Sequence, residues 1–514
     1  MRIYLVLFTV TALLFGCNAS ETSEPTPDPS LLELQSVRPV TASPVKRSLN
    51  PTFFGLNNGS TVRDVPRNNP AYRTSQARLR PGTIRFPGGT VANYWDWERG
   101  DFVCDAGGTY LLRGKEKPCK LPNGYQALKP KGHTLEVFKR ELDRTGAKAV
   151  FVLNMLTKRP ERTETNLHNS TRLLRKAREI GIEVEYIELG NEFYLSPGDR
   201  DASEDYQQAF PRADDYVREA EVWIKRLRHA FPEAKIAVIG ADKRPIRTPE
   251  EEKKHARRNG WNAVVAEGLA GVADAITVHP YTGGGRPETF TIPTFLATPQ
   301  ASFESKREAW SALGGLELWL TEYNLFDRDV AIHGTWAHGL FAASQTLQFL
   351  REPRAELVHF HAGTGNAVFG AVFSSQNGFG YDNQFVKPSA RPKTLKFGLS
   401  ASGQTLELVA GALRRKTAAH ELDFGTSAPQ LPGGRDALVG WLFKGWGQSA
   451  LVLNLSAREQ VLDLAALPAQ GAYVQRSAPP RALITGHSGT VQERRGRAGR
   501  SLRLPPYSVT RINR

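Results

Sequence analysis

Cysteine is scarce, with three in 514 residues. No Cys-x-x-Cys or His-Glu-x-x-His spacing occurs, so no structural zinc or zincin site is written into the chain. A Gly-x-Gly-x-x-Gly turn that opens a helix behind a strand is missing too, which removes the usual cradle for a dinucleotide. No metal and no cofactor are therefore expected. Long apolar runs are equally rare. The single uncharged one, Ile3 to Phe15, is shorter than the roughly 20 residues that a helix needs to cross a bilayer, which excludes a multispanning membrane protein. What remains is ordinary globular material, 40% hydrophobic, 9% aromatic and 23% charged, able to bury a large core and unlike a disordered or collagen-like chain. At roughly 100–200 residues per domain, the length calls for two or three domains.

The one apolar run follows Arg2 and ends at Leu14-Phe15-Gly16-Cys17, the order of a secretory signal, so export is expected. Cys17 directly behind Gly16 resembles the lipobox of bacterial lipoproteins. That resemblance implies a signal peptide over residues 1–17, lipidation of Cys17, and a lipid anchor in the outer membrane, an address that Asn18 favours. Phe15 is bulkier than the pattern usually has, which keeps a secreted or periplasmic protein as the alternative. Residues 18–33, mostly Ser, Thr, Pro, Glu and Asp, read as a solvated tether. With Cys17 spent on the anchor, Cys104 and Cys119 lie 15 residues apart in a Gly/Lys-rich loop of an exported chain, and a disulfide between them is expected.

The net charge of +15 is uneven, with 15 Lys/Arg against 7 Asp/Glu over residues 401–514. Arg494, Arg495, Arg497, Arg500 and Arg503 crowd one short stretch. Such a patch attracts anionic polymers over a long range, and a plainly solvated hairpin is the competing reading. Nucleic acid is not an expected partner of an exported protein. Nothing in the sequence sets the oligomeric state.

From Pro51 to about Ser400, short β-branched or aromatic runs alternate with helical periods, the signature of repeated βα units. Eight strands are predicted, at 52–56, 83–86, 149–153, 184–189, 236–239, 275–278, 316–320 and 357–361. Between them, sets such as Leu135, Phe138 and Leu142, or Leu340, Ala343, Leu347 and Leu350, recur at the spacing of an amphipathic helix. The pattern fits an α/β fold, a (β/α)8 TIM barrel over residues 51–400. Beyond about Thr405 the runs become short and alternating, which predicts an accessory C-terminal β-sandwich over residues 401–514. Residues 34–50 have strand character and are expected to join it.

Catalytic groups of such a barrel sit at the carboxyl ends of its strands. Four endings are unusually polar: Arg85-Phe86-Pro87-Gly88-Gly89-Thr90, Gly190-Asn191-Glu192, His279-Pro280-Tyr281 and Thr321-Glu322-Tyr323-Asn324. Barrel closure would bring Glu192 and Glu322 to one pocket. Two carboxyls across a cleft are what glycoside hydrolysis needs, one as proton donor and one as nucleophile. Opposite pKa tuning could come from Asn191, His279 and Tyr281. Trp95 and Trp97 suit either sugar stacking or loop packing. Arg85 serves either the barrel wall or the substrate, Glu188 reads as an interior hydrogen-bonding group, and His359, His361 and Asn366 end the last strand near the pocket.

These four endings, in this order, resemble retaining glycoside hydrolases of clan A, above all the α-L-arabinofuranosidase family and its heparanase/β-glucuronidase relatives. The resemblance runs from about residue 50 to the closing Leu504-Pro505-Pro506-Tyr507-Ser508-Val509. It implies Glu192 as acid/base, Glu322 as nucleophile, Tyr281 as the nucleophile's hydrogen-bond donor, and a polysaccharide or oligosaccharide substrate. Thr90 stands where the arabinofuranosidase pattern has Asn, and Asn57 and Asn58 stand where it has a sugar-binding Glu, so the sugar is left open. Arabinofuranosidase-like action, glucuronidase- or heparanase-like action on an acidic polysaccharide, and a non-catalytic glycan-binding surface lipoprotein are the three readings.

Overall fold

The computed structural model describes residues 37–514 except 58–68, 104–107, 119–133, 197–198, 200–202, 244–245, 284–289, 327–331, 380–391, 466 and 468–470. The predicted signal, tether and lipidated Cys17, the Cys104–Cys119 pair and Asn58 lie outside the described residues. No described helix is long and apolar enough to cross a membrane.

Eight parallel strands close into a barrel: β1 (Phe54–Asn57), β2 (Thr83–Phe86), β3 (Lys148–Val152), β4 (Tyr186–Glu188), β5 (Lys235–Ile239), β6 (Ala275–Thr277), β7 (Glu317–Tyr323) and β8 (Ala355–His361). Each neighbours the next in sequence, and β8 pairs with β1. All eight coincide with predicted strands to within a few residues, because parallel strands buried on both faces appear as nearly continuous apolar runs. The helices between them begin and end where the sequence supplies caps. Helix α2 (Leu135–Thr145), the second after α1 (Pro70–Leu79), starts with the Thr134 hydroxyl accepting from Val137 N and stops at Gly146, which is left-handed at φ +68°.

Inside the barrel, side chains stack in layers. Val150, Tyr186, Ala237, Ala275, Trp319 and Leu357, one from each of β3 to β8, form an apolar plug, with the Tyr186 and Trp319 rings edge to face at 5.4 Å. Two residues further along the strands the layer turns polar, with Arg85, Glu188, Thr321 and His359 all buried. Gly55 makes room for it: a Cβ there would lie 2.3 Å from both the His359 ring and Thr83 Oγ1.

Further helices cover the barrel: α3 (Asn166–Glu179), α4 (Ser203–Ala209), α5 (Ala213–Ala230), α6 (Pro249–Gly268), α7 (Ile292–Ser311) and α8 (Trp336–Phe349). The structure corrects one boundary. Residues 401–413, assigned on sequence to the sandwich, form a further helix, α9 (Ala401–Leu413), packed along α8. Its residues are buried nearly all round, so it carries no amphipathic period and its apolar run resembles a strand.

The sandwich starts at β9 (Lys416–Asp423) and continues with β10 (Leu438–Gly445), β11 (Gly447–Asn454), β12 (Gln460–Asp463), β13 (Ala472–Ser477), β14 (Gln492–Arg497), β15 (Ser501–Leu504) and β16 (Ser508–Asn513). The large sheet runs β9-β10-β11-β16-β13-β14, and a small one pairs β12 with β15. The chain upstream of the barrel adds to both, with Arg38–Pro39 on β12 and Thr41–Ala42 and Arg47–Ser48 on β9. The central strands β10 and β11 of the large sheet are buried on both faces over most of their length, while β14 at its edge is exposed. Leu438, Leu442 and Val452 meet the small sheet, while Val439, Trp441, Phe443 and Leu453 join the core that includes α8 and α9.

Candidate active site

The four polar endings meet above the carboxyl ends of the strands. After β4 the chain turns at Gly190, φ +87°, where a Cβ would collide with the Phe193 ring at 2.4 Å. Glu192 follows in the left-handed region at φ +54°, unusual for a residue with a side chain. Asn93 holds this turn from both sides, its Nδ2 donating to Asn191 O at 2.8 Å and its Oδ1 accepting from Asn191 N at 3.2 Å.

Glu322 reaches the same pocket because β7 is irregular. The pairing of β7 with β8 shifts register between Leu320 and Tyr323. Tyr323 packs outward on Phe349, so its ring-to-ring distance of 5.2 Å belongs to the helix layer, while Thr321 and Glu322 both face the site.

Both carboxylates are buried, 4% and 3% exposed for Glu192 and Glu322. One oxygen of each, with a ring nitrogen of His279, lie within 4.8 Å of one another. Arg85 Nη1 donates to Glu322 Oε1 at 2.7 Å, and the Tyr281 hydroxyl donates to Glu322 Oε2 at 2.7 Å. The remaining edges of Arg85 are spent on Glu188 Oε2 (Nε, 2.9 Å) and Asn191 Oδ1 (Nη2, 2.9 Å), so one guanidinium ties β2, β4 and β7 together. On the other side the Tyr194 hydroxyl donates to Glu192 Oε1 at 3.0 Å. His279 Nδ1 lies 3.0 Å from that same oxygen, and its Nε2 lies 3.3 Å from Thr321 Oγ1.

These surroundings fix the charge of Glu322. Burial pushes the Glu322 pKa up, but His279, His361 and Arg85 outweigh it and hold the carboxyl at about 2. Glu322 is therefore ionised at neutral pH. His359, deeper in the barrel, is pushed down to about 3 by burial and by Arg85, so it is a neutral ring bridging to Thr83.

The cluster of Glu192, His279 and Glu322 is close enough to share a cation. Its chemistry argues against one: both oxygens of Glu322 already accept hydrogen bonds, and the Arg85 charge stands 2.7 Å away.

Most of the residues singled out on sequence converge. Asn191, Tyr281, His279 and Arg85 touch one carboxylate or its holder. Asn57 is buried, with its amide 2.8 Å from His361 Nδ1, which is itself 3.6 Å from Glu322 Oε2. The Pro-Gly-Gly turn makes this approach possible, since a Cβ on Gly88 would stand 2.2 Å from Asn57 Oδ1. Trp95 is not brought to the carboxylates. Its ring packs edge to face on Phe86 and Phe102, and the Trp97 indole donates to Asn169. Sequence reasoning missed Tyr194 and Asn93. Tyr194 follows the Asn-Glu pair by two residues, and Asn93 lies behind the Pro-Gly-Gly turn, but neither spacing has a physical signature of its own. A pocket of about 100 Å³ opens beside Glu192, His279 and Tyr281, walled by Asp199, Asp242, Arg258 and Phe326.

A barrel with two buried carboxylates facing each other at its carboxyl end defines the class of site. The sequence matches no family profile and no curated protein. Among solved structures, the chain is similar to an α-L-arabinofuranosidase from Thermotoga maritima in complex with arabinose, at 13% identity and a TM-score of 0.63, over 93% of this chain and 99% of that one. A GH51 arabinofuranosidase from Xanthomonas axonopodis pv. citri gives 14% and 0.61 over 93% and 99%. A 4-O-α-L-rhamnosyl-β-D-glucuronidase from Fusarium oxysporum 12S gives 13% and 0.55 over 93% and 100%. The fold, barrel and sandwich together, is shared with these proteins from end to end.

Proposed function

We propose that this chain is a glycoside hydrolase that cleaves O-glycosidic bonds by double displacement, with Glu322 as nucleophile and Glu192 as acid/base. The approach of the two carboxylates to within 4.8 Å carries the reading. Retaining pairs stand about 5–5.5 Å apart, whereas an inverting pair needs roughly 6.5–9.5 Å to admit a water. In the first step a Glu322 oxygen bonds to the anomeric carbon while the bond to the leaving oxygen breaks and that oxygen takes the Glu192 proton. In the second, Glu192 takes a proton from water, whose oxygen displaces Glu322. Tyr281 and Arg85 hold the nucleophile in place and keep it ionised until it attacks and again once water has released it.

Among the described residues the pocket wall offers Asp199 and Asp242, the latter paired with Lys306, against one arginine, Arg258, which is turned onto the Tyr194 ring and Asp242 O. A neutral sugar suits this wall better than a uronate, and an α-L-arabinofuranoside is the first candidate. The presence of both carboxylates speaks against a purely binding role. The signal-like start of the sequence supports an exported protein anchored through Cys17.

A screen on nitrophenyl arabinofuranoside, xyloside, glucoside and glucuronide identifies the sugar, and the anomer released first, read by NMR, tests retention. The two glutamates should fail differently. Glu322→Ala should lose all substrates by at least about 10⁴-fold, since the attacking atom is gone. Glu192→Ala should still be glycosylated by a dinitrophenyl glycoside, stall at the second step, and be rescued by azide. Equal behaviour of both variants on the activated substrate, with no azide rescue of either, overturns the assignment of roles.

A further inference from the structure

The opposite end of the barrel carries a second concave site. A cleft of about 160 Å³ opens where the chain enters β1, β2 and β3, beside Thr52, Gly82 and Gly146, and three guanidiniums line it: Arg80, Arg414 and Arg415. None of the three makes a side-chain hydrogen bond or ion pair among the described residues. Their neighbours are treated differently. Arg78, two residues before Arg80, is bound to Glu407 at 2.7 Å, and Arg476 is bound to Glu407 and Glu493 at 2.7 Å each. The three therefore remain uncompensated although carboxylates serve the arginines around them. Arg511 extends the group, lying flat on α9 where Gly411 leaves space for it. Burial lowers the pKa of Arg414, and repulsion from Arg80 and Arg415 lowers it further.

A solvated surface does not gather like charges in a concavity without cost, and an anion bound between them would remove the repulsion. One more side chain narrows the choice of anion. Trp446, at the hairpin tip between β10 and β11, is 77% exposed, the most exposed large apolar side chain described. Arg415 covers one face of its indole, with the guanidinium carbon 5.3 Å from the ring centre, and Lys416 Nζ donates to Trp446 O at 2.8 Å. The open indole thus stands beside the cationic cleft. An exposed indole next to guanidiniums fits a sugar ring whose C–H face stacks on the aromatic while its acidic substituent enters the cleft.

We propose that this cleft is a glycan-binding site, separate from the catalytic pocket, which takes a chain of sugars bearing carboxylate or sulfate groups. It lies at the amino ends of the strands, so bound glycan does not occupy the catalytic end, and the site is independent of the proposed hydrolysis. It is also distinct from the arginines of β14, which lie along a fully exposed strand with Glu493 among them.

The test is direct binding of the full chain to polygalacturonate, dextran sulfate, neutral dextran and phosphatidylglycerol vesicles at fixed salt. Tighter binding to polygalacturonate or dextran sulfate identifies carboxylate or sulfate as the group recognised, and neutral dextran should not bind. Replacing all three cleft arginines (Arg80→Gln, Arg414→Gln, Arg415→Gln) should weaken acidic-glycan binding at least about tenfold, an effect of about 1.4 kcal/mol or more. An equal charge change on the exposed strand and its turn (Arg494→Gln, Arg497→Gln, Arg500→Gln) should cost less than about twofold. Trp446→Ala should weaken glycan binding several-fold with net charge unchanged. If the two triple variants lose affinity equally, the attraction is diffuse and the site does not exist. Vesicle binding tighter than either glycan, or indifference to Trp446→Ala, overturns sugar recognition. Thermal melting of each variant confirms folding, and Trp446→Ala, fully at the surface, carries the test alone if the triple variant fails to fold.

Discussion

Glu192 occupies a backbone region that costs a side-chain-bearing residue about 1–3 kcal/mol, and Asn93 holds the preceding residue, Asn191, at both its N–H and its C=O. Asn93→Ala releases that grip. The expected result is a fall in kcat of about 10- to 100-fold with KM nearly unchanged, since only the aim of the acid/base is lost. An altered KM with intact kcat would place Asn93 in substrate binding instead. Glu322 makes the complementary case. Its folded pKa of about 2 lies below the ordinary value of 4.5, so its ionised form contributes stability above about pH 4.5, lost as pH falls towards 2. Glu322, the proposed nucleophile, should remain ionised well into acid. Removing one of the groups that hold it down, as in His361→Gln, should move the acid limb of kcat/KM to higher pH, and a limb that stays in place removes His361 from this role.

At the scale of elements, the site depends on two departures from regularity: the left-handed turn after β4 and the register shift within β7. Strict two-residue alternation along β7 would have put Glu322 on the opposite face from Thr321. The helix layer behind is less tolerant. Helices α8 and α9 touch through Gly339, where a Cβ would lie 2.5 Å from Ala401 O. Gly339→Ala should therefore destabilise the chain by about 1–3 kcal/mol, read as a lower urea midpoint with unchanged slope.

From Val37 onward the chain is one compact unit and should unfold cooperatively, for reasons visible at the junction of barrel and sandwich. Trp336 N donates to Ala482 O, its indole donates to Tyr507 O at 2.6 Å, and one apolar core runs from α8 and α9 into β10, β11 and β16. A single calorimetric transition is expected for both layers. A chain that stops after Leu413 should aggregate or fail to fold, because it bares the apolar faces of α8 and α9. Two separate transitions, or a soluble folded barrel from the shortened chain, would contradict this coupling.

The eight strands were legible in the sequence because burial on both faces writes them as apolar runs, and the carboxyl-end rule then picked out Glu192, Glu322, His279 and Tyr281 from the residues just behind those runs. Where burial is complete, the same signal fails: α9 has no polar face to mark its period, and it passed for sandwich. Contacts between distant segments leave no local trace either. The sequence names Arg85 but does not reveal that its guanidinium joins Glu188, Asn191 and Glu322, and it places Trp95 in a loop without saying that Phe86 and Phe102 claim its ring. Residue type and periodicity determine which groups can act and on which element they lie. Which of them meet, at what distance and in what state of charge, is decided only when barrel closure brings together residues more than a hundred positions apart in one buried cluster.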